Sequence, residues 1–159
     1  MCIRDRDNHS CSSRNVLRGL HYQVKQPQGK LVRVVEGEIL DAAVDVRRSS
    51  PSFGHWEAVR LSGDNKRMLW IPLGFAHGFR VLSEKAHVLY KATDFYAPEH
   101  ERTIVWNDPH LKINWELDGE PMVSPLSLIH IYLQQRHGVP EDLIKNIAVA
   151  GALVAKAVE

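Results

Sequence analysis

Apolar and polar residues alternate in short runs along most of this 159-residue chain, and Gly, Pro, Asn, Asp and Ser break the runs apart. A two-residue period over segments this short is the signal of β-strands joined by turns, not of amphipathic helices. The pattern predicts strands over 30–35, 38–46, 55–61, 67–71, 78–82, 87–93 and 103–106, with Glu36-Gly37 as a hairpin turn between the first two. No helix is predicted between residues 15 and 117. Many short strands at even spacing favour an all-β sandwich or barrel.

Within 38–46, Leu40, Ala42, Val44 and Val46 share one face, and Asp41 and Asp45 share the other with Ile39 and Ala43. Asp41 either lines a polar cavity or, like most carboxylates, faces water together with Asp45; water is the ordinary expectation. The tail differs in kind. Pro140-Glu141-Asp142 precedes an apolar, alanine-rich run ending near Val158, which predicts a helix from about residue 140. Its apolar stretch is too short to span a bilayer.

Composition adds limits. With 44% hydrophobic and 25% charged residues, the chain reads as one globular domain with a core of its own. A formal net charge of +1 without long runs of one sign gives no reason to expect nucleic acid or a membrane surface as partner. Cys2 and Cys11 would close only a small loop, and no signal peptide stands out, so a reducing, cytoplasmic setting is expected.

The candidate chemistry lies in two segments, Arg18-Gly19-Leu20-His21-Tyr22-Gln23 and Trp70-Ile71-Pro72-Leu73-Gly74-Phe75-Ala76-His77-Gly78-Phe79. Histidine is the side chain whose ordinary pKa lies nearest neutrality, so two of them beside an arginine suit proton transfer on an anionic substrate. His21 is placed after a turn at Gly19, and His77 in a tight connection leading into the next strand. Each could instead be a hydrogen-bonded structural histidine. A metal site would need closely spaced histidines with an acid soon after, and His21 is followed by Tyr22 and Gln23, so no metal is expected. Tyr90 reads as core or catalyst, and Lys30 and Arg18 as anion partners or surface charges. No glycine-rich phosphate loop is present.

These residues carry a resemblance. Asp7-Asn8-His9-Ser10, 15–23, Gln28-Gly29-Lys30-Leu31-Val32-Arg33, Ser52-Phe53-Gly54, 70–79 and Tyr90-Lys91-Ala92-Thr93 resemble dTDP-4-dehydrorhamnose 3,5-epimerases over residues 7–125. The resemblance implies a cupin jelly-roll barrel, a double-stranded β-helix. It implies a cofactor-independent isomerase acting on dTDP-4-dehydro-6-deoxy-D-glucose at C3 and C5. By the same resemblance His21 is the base, Tyr90 the acid on the other face of the sugar, and Lys30, with His77 nearby, the stabiliser of the enolate oxygen. Asp7, Asn8, Arg18 and Glu101 fall at substrate positions, and Tyr96 at one that stacks on thymine from the neighbouring subunit of a homodimer. C3-only or C5-only epimerases, ketoisomerases and silent sugar-nucleotide binders share this scaffold.

The chain departs from the family pattern at both ends. Residues 1–6 stand where the family has an N-terminal region contacting the nucleotide. Leu126 and Ser127 stand where it has a lysine contacting substrate and an aspartate bonded to the catalytic histidine. The expectation is an epimerase domain over 7–125 flanked by non-native strings, 1–6 and 126–159, with impaired activity.

Overall fold

The computed structural model describes residues 7–124 together with 157–158. Strands β1 (Asp7–Ser13), β2 (Val16–Gln23), β3 (Lys30–Glu36), β4 (Glu38–Asp45), β5 (Trp56–Ser62), β6 (Met68–Ile71), β7 (Phe75–Val81), β8 (Lys85–Ala92), β9 (Glu101–Thr103), β10 (Met122–Val123) and β11 (Ala157–Val158) follow one another along the chain. The 3-10 turn Pro98–His100 is the only helical segment among the described residues. None of these residues forms a helix long and apolar enough to cross a membrane.

The strands form two sheets, a five-stranded one in the order β1-β8-β3-β6-β11 and a six-stranded one in the order β10-β2-β7-β4-β5, with β9 also on β2. Chain neighbours repeatedly fall in different sheets. Glu36-Gly37 is accordingly not a hairpin turn: β3 pairs with β6 and β8, whereas β4 pairs with β5 and β7. The segment is a corner between sheets. Gly37 has φ +80°, and a Cβ there would collide with the Lys85 carbonyl, so the corner requires glycine. The all-β prediction holds, and seven predicted strands match β3 to β9 with shifted ends. The predicted helix from about 140 lies outside the described residues, except that Ala157–Val158 pair as strand with Leu69 and Met68.

Two apolar layers explain why β4 is buried along nearly its whole length. Ile39 and Ala43 pack with Val32, Leu69, Ile71, Phe79 and Val88 in one cluster, drawing on both sheets. Leu40, Ala42 and Val44 pack with Ile104, Leu111, Ile113 and Trp115 in the other. The 104–115 segment therefore covers the face of the six-stranded sheet that would otherwise meet water. Asp41 and Asp45 are fully buried, contrary to the ordinary expectation for carboxylates. Asp45 meets burial with bonds from Arg47 (2.7 Å), Ser50 (2.6 Å) and Ser52 (2.7 Å), and these hold its pKa down against the upward push of desolvation. Arg47 in turn lies 4.9 Å from the centre of the Phe75 ring.

Candidate active site

A cavity of about 950 Å³ opens between the sheets. The five-stranded sheet contributes Asn8, Lys30 and Tyr90 to its lining, and the six-stranded sheet Arg18, His21, His77 and Glu101. The first and last of these residues, Asn8 and Glu101, lie 93 positions apart, and the set meets only because the sheets face each other. Tyr96, also in the lining, lies at the rim with 55% of its surface exposed. Asp7 does not join them. Strand alternation turns Asn8 and Ser10 inward, and exposed Asp7 accepts a bond from Lys91 Nζ at 2.5 Å.

Two glycines set the close packing that places the histidines. β2 continues through Gly19, which is not a turn residue, and its pairing with β7 shifts register between Arg18 and His21. A Cβ on Gly19 would lie 2.5 Å from the His77 carbonyl oxygen, and one on Gly78 would lie 2.7 Å from the Arg18 carbonyl oxygen. Neither position has room for a side chain. With both strands pressed together, His21 pairs directly with His77 across the ladder. His77 thus stands within the buried strand β7 and not in the connection before it.

His21 Nδ1 lies 3.0 Å from Thr103 Oγ1 and 3.7 Å from Glu101 Oε1. Burial lowers its pKa, and the positive charges of Lys30, His77 and Arg18 lower it further, to about 4. His21 is therefore neutral near pH 7, with a lone pair available to accept a proton. His77 is buried and lies 2.7 Å, from Nε2, from Asp41 Oδ1. The other Asp41 oxygen is buried without a partner among the described residues. Lys30 is under opposing influences: desolvation lowers its pKa, while Glu101 and Asp41 act in the opposite direction. Its Nζ lies 5.8 Å from the centre of the Tyr90 ring. Burial, helped by Glu101 and opposed by Arg18, raises the pKa of Tyr90 and keeps its phenol protonated. Arg18 Nε donates to Ser12 Oγ at 3.1 Å. Tyr96 OH donates to Glu101 Oε2 at 2.6 Å, and that bond leads the effects that raise its pKa to about 12.

Sequence reasoning missed two members of this arrangement. Thr103 meets His21 through the register of β9 on β2, for which no local pattern exists. Asp41 was legible as a possible cavity residue from its alternation, but not as the partner of His77. Among the described residues no group of three or more His, Cys, Asp or Glu is placed to hold a metal ion. Leu126 and Ser127, where the family pattern changes, lie outside the described residues.

Two facing sheets of interleaved strands, enclosing a neutral histidine, a protonated tyrosine and half-buried basic side chains, define a cupin-type barrel with a site suited to acid–base chemistry. The family model of dTDP-4-dehydrorhamnose 3,5-epimerase matches residues 4–133, and the chain belongs to this family. It is 67% identical over 118 residues to the dTDP-4-dehydrorhamnose 3,5-epimerase of Pseudomonas aeruginosa, covering 74% of this chain and 65% of that protein. A Neisseria gonorrhoeae relative of the same name is 57% identical over 77% of this chain and 37% of its own length. The chain thus spans less than two thirds of these relatives. Among solved structures, a dTDP-6-deoxy-D-glucose-3,5-epimerase from Legionella pneumophila in complex with dTDP-4-keto-L-rhamnose superposes with TM-score 0.80 at 51% identity, over 86% of this chain and 71% of that one. A 3'-monoepimerase from Streptomyces bikiniensis in complex with dTDP-quinovose gives TM-score 0.76 at 34% identity, over 81% and 66%.

Proposed function

We propose that this chain epimerises dTDP-4-dehydro-6-deoxy-D-glucose at C3 and C5 to dTDP-4-dehydro-L-rhamnose. The observation that carries this reading is the placement of His21 and Tyr90 on opposite sheets, facing one cavity. Inversion at a carbon requires a proton to leave from one face and return to the other, so a base and an acid on opposite walls fit the reaction.

The C4 ketone acidifies the protons at C3 and C5, because the carbanion left behind is an enolate. His21 takes the proton. Negative charge then develops on the C4 oxygen, where Lys30 and His77 stabilise it; a positioned donor of this kind contributes about 3 kcal/mol. Tyr90 donates a proton to the opposite face, and proton exchange with solvent restores both groups before the second centre reacts. Atoms and charge balance over the cycle without a cofactor. A histidine with pKa about 4 is a weak base in the free protein. In this reading a diphosphate held by Arg18 offsets one of the positive charges that add to the effect of burial on His21, so the base strengthens when substrate binds.

Arg18, Asn8 and Glu101 are assigned to substrate binding, together with Asp7, whose outward position needs the strand edge to rearrange. Exposed Tyr96 is assigned to thymine stacking from a second subunit in a cytoplasmic homodimer, with neither nucleic acid nor membrane as partner. Light scattering of purified protein tests the dimer.

The reaction is tested by NMR on dTDP-4-dehydro-6-deoxyglucose in D₂O. Deuterium entering both C3 and C5 supports the double epimerase. The likeness to a 3'-monoepimerase favours a second reading, inversion at C3 alone, and deuterium at C3 only would establish it. Nucleotide binding without exchange would identify a silent binder.

A further inference from the structure

We propose that Ser12 is a positioning residue for Arg18: its neutral hydroxyl fixes the guanidinium so that both Nη groups, with their positive charge uncompensated, are presented to the diphosphate of the substrate. The proposal rests on Arg18 being a substrate-binding residue, and deepens that reading.

Ser12 follows Asn8 and Ser10 on the inward face of β1, but unlike them it lies outside the cavity lining, with 7% of its surface exposed. From there its Oγ accepts the Arg18 Nε–H at 3.1 Å, a bond that ties β1 of one sheet to β2 of the other. The connection between these strands is pinned as well, since Arg14 N donates to Glu84 O at 2.9 Å and Asn15 N to Val81 O at 3.1 Å. The acceptor therefore has a fixed place. A guanidinium held at Nε loses its freedom to swing on a long side chain. The end left for the cavity is the Nη1–Nη2 fork, an edge that grips two phosphate oxygens at once.

The chemistry of the acceptor matters as much as its place. Arg47, Arg60 and Arg80 are each paired with a carboxylate, of Asp45, Glu116 and Asp118 in turn. Among the described residues Arg18 has no such counter-ion, and Ser12 Oγ is the one hydrogen-bond partner of its guanidinium. A carboxylate at position 12 would hold the same nitrogen, but it would offset the charge and repel a phosphate. A hydroxyl holds it and does neither, so the charge of a partly buried cation is kept for the ligand.

The test uses the full chain and Ser12→Ala, which removes only the oxygen. NMR of arginine Nε–H groups reads the contact without any need for activity: the Arg18 signal should be protected from solvent exchange in the wild type and lose that protection in Ser12→Ala. Binding of dTDP, by calorimetry, should weaken roughly tenfold, about the value of one hydrogen bond. Binding of thymidine, followed by NMR titration, should not change, because thymidine carries no phosphate. In turnover of the dTDP-sugar the loss should fall on KM with kcat unchanged, since the diphosphate is held equally before and during reaction. A wild-type Arg18 Nε–H that exchanges as fast as one in an unfolded chain, or a Ser12→Ala protein with dTDP affinity unchanged, overturns the proposal. Equal losses of dTDP and thymidine binding also overturn it, because they are the mark of a merely structural serine. A wild type that binds thymidine but gains nothing from the diphosphate overturns the binding role of Arg18 on which the proposal stands, and the Nε–H signal then still decides whether Ser12 holds the side chain.

Discussion

Asp41 and His77 stand 36 positions apart in sequence and meet 2.7 Å apart in the interior, Oδ1 to Nε2, where Asp41 has no exposed surface. This pairing holds His77 against the cavity wall and brings a negative charge toward Lys30, whose ammonium form it favours. The groups that would stabilise an enolate therefore depend on a carboxylate outside the cavity lining. Asp41→Ala should destabilise the fold by about 2 kcal/mol or more, because it leaves a cavity and strips a buried histidine of its partner. Urea denaturation measures the loss; a midpoint equal to wild type would mean the pair contributes little.

His21→Asn should lower deuterium incorporation at both C3 and C5 by about 10² to 10⁴, the usual contribution of a positioned general base. Binding of dTDP, measured by calorimetry, should change little. Loss at one centre only would divide the work between two bases.

Tyr90→Phe separates proton removal from proton return. With His21 intact, exchange with solvent should continue at a reduced rate while formation of the inverted product falls by about 10² or more. Following exchange and product in one NMR experiment distinguishes these outcomes. Inverted product at the wild-type rate would exclude Tyr90 as the acid.

The titration of His21 has a defined sign. An unfolded histidine gains its proton near 6.5 and the folded one near 4, so between these values the unfolded chain holds more protons and stability rises with pH. The contribution is fully present above 6.5 and is lost as the protein is acidified toward 4, amounting to a few kcal/mol at most, by an order-of-magnitude conversion. The ring-proton shift of His21 should titrate near 4 in the free protein and at higher pH with dTDP bound. An unchanged midpoint on adding dTDP would show that the diphosphate does not reach Arg18.

Gly19→Ala would put a methyl carbon 2.5 Å from the His77 carbonyl at a backbone φ of +108°, so strands β2 and β7 would have to separate. A loss of about 3 kcal/mol is expected from overpacking and backbone strain together. Thermal unfolding measures it, and a melting temperature within a degree of wild type would show that the strands can part cheaply.

The alternation of residues by itself determined the all-β class and most of the strands, because a two-residue period is a local property of an extended backbone. The motifs around His21, His77 and Tyr90 identified the family, because they carry its side chains in order. Local pattern could not decide which sheet each strand joins. The corner at Glu36-Gly37 reads as a hairpin until β3 and β4 are seen to pair with different partners. Nor could alternation show that both faces of β4 are covered, the Leu40 face by residues 104–115 and the Ile39 face by the opposite sheet, so that Asp41 and Asp45, which share the Ile39 face, are interior and not at the surface. Thr103 opposite His21 and Asp41 against His77 likewise follow from pairing between distant segments. The sequence determined which groups were available for proton transfer; the tertiary structure decided which of them meet, since register and sheet-to-sheet packing depend on contacts across the whole chain.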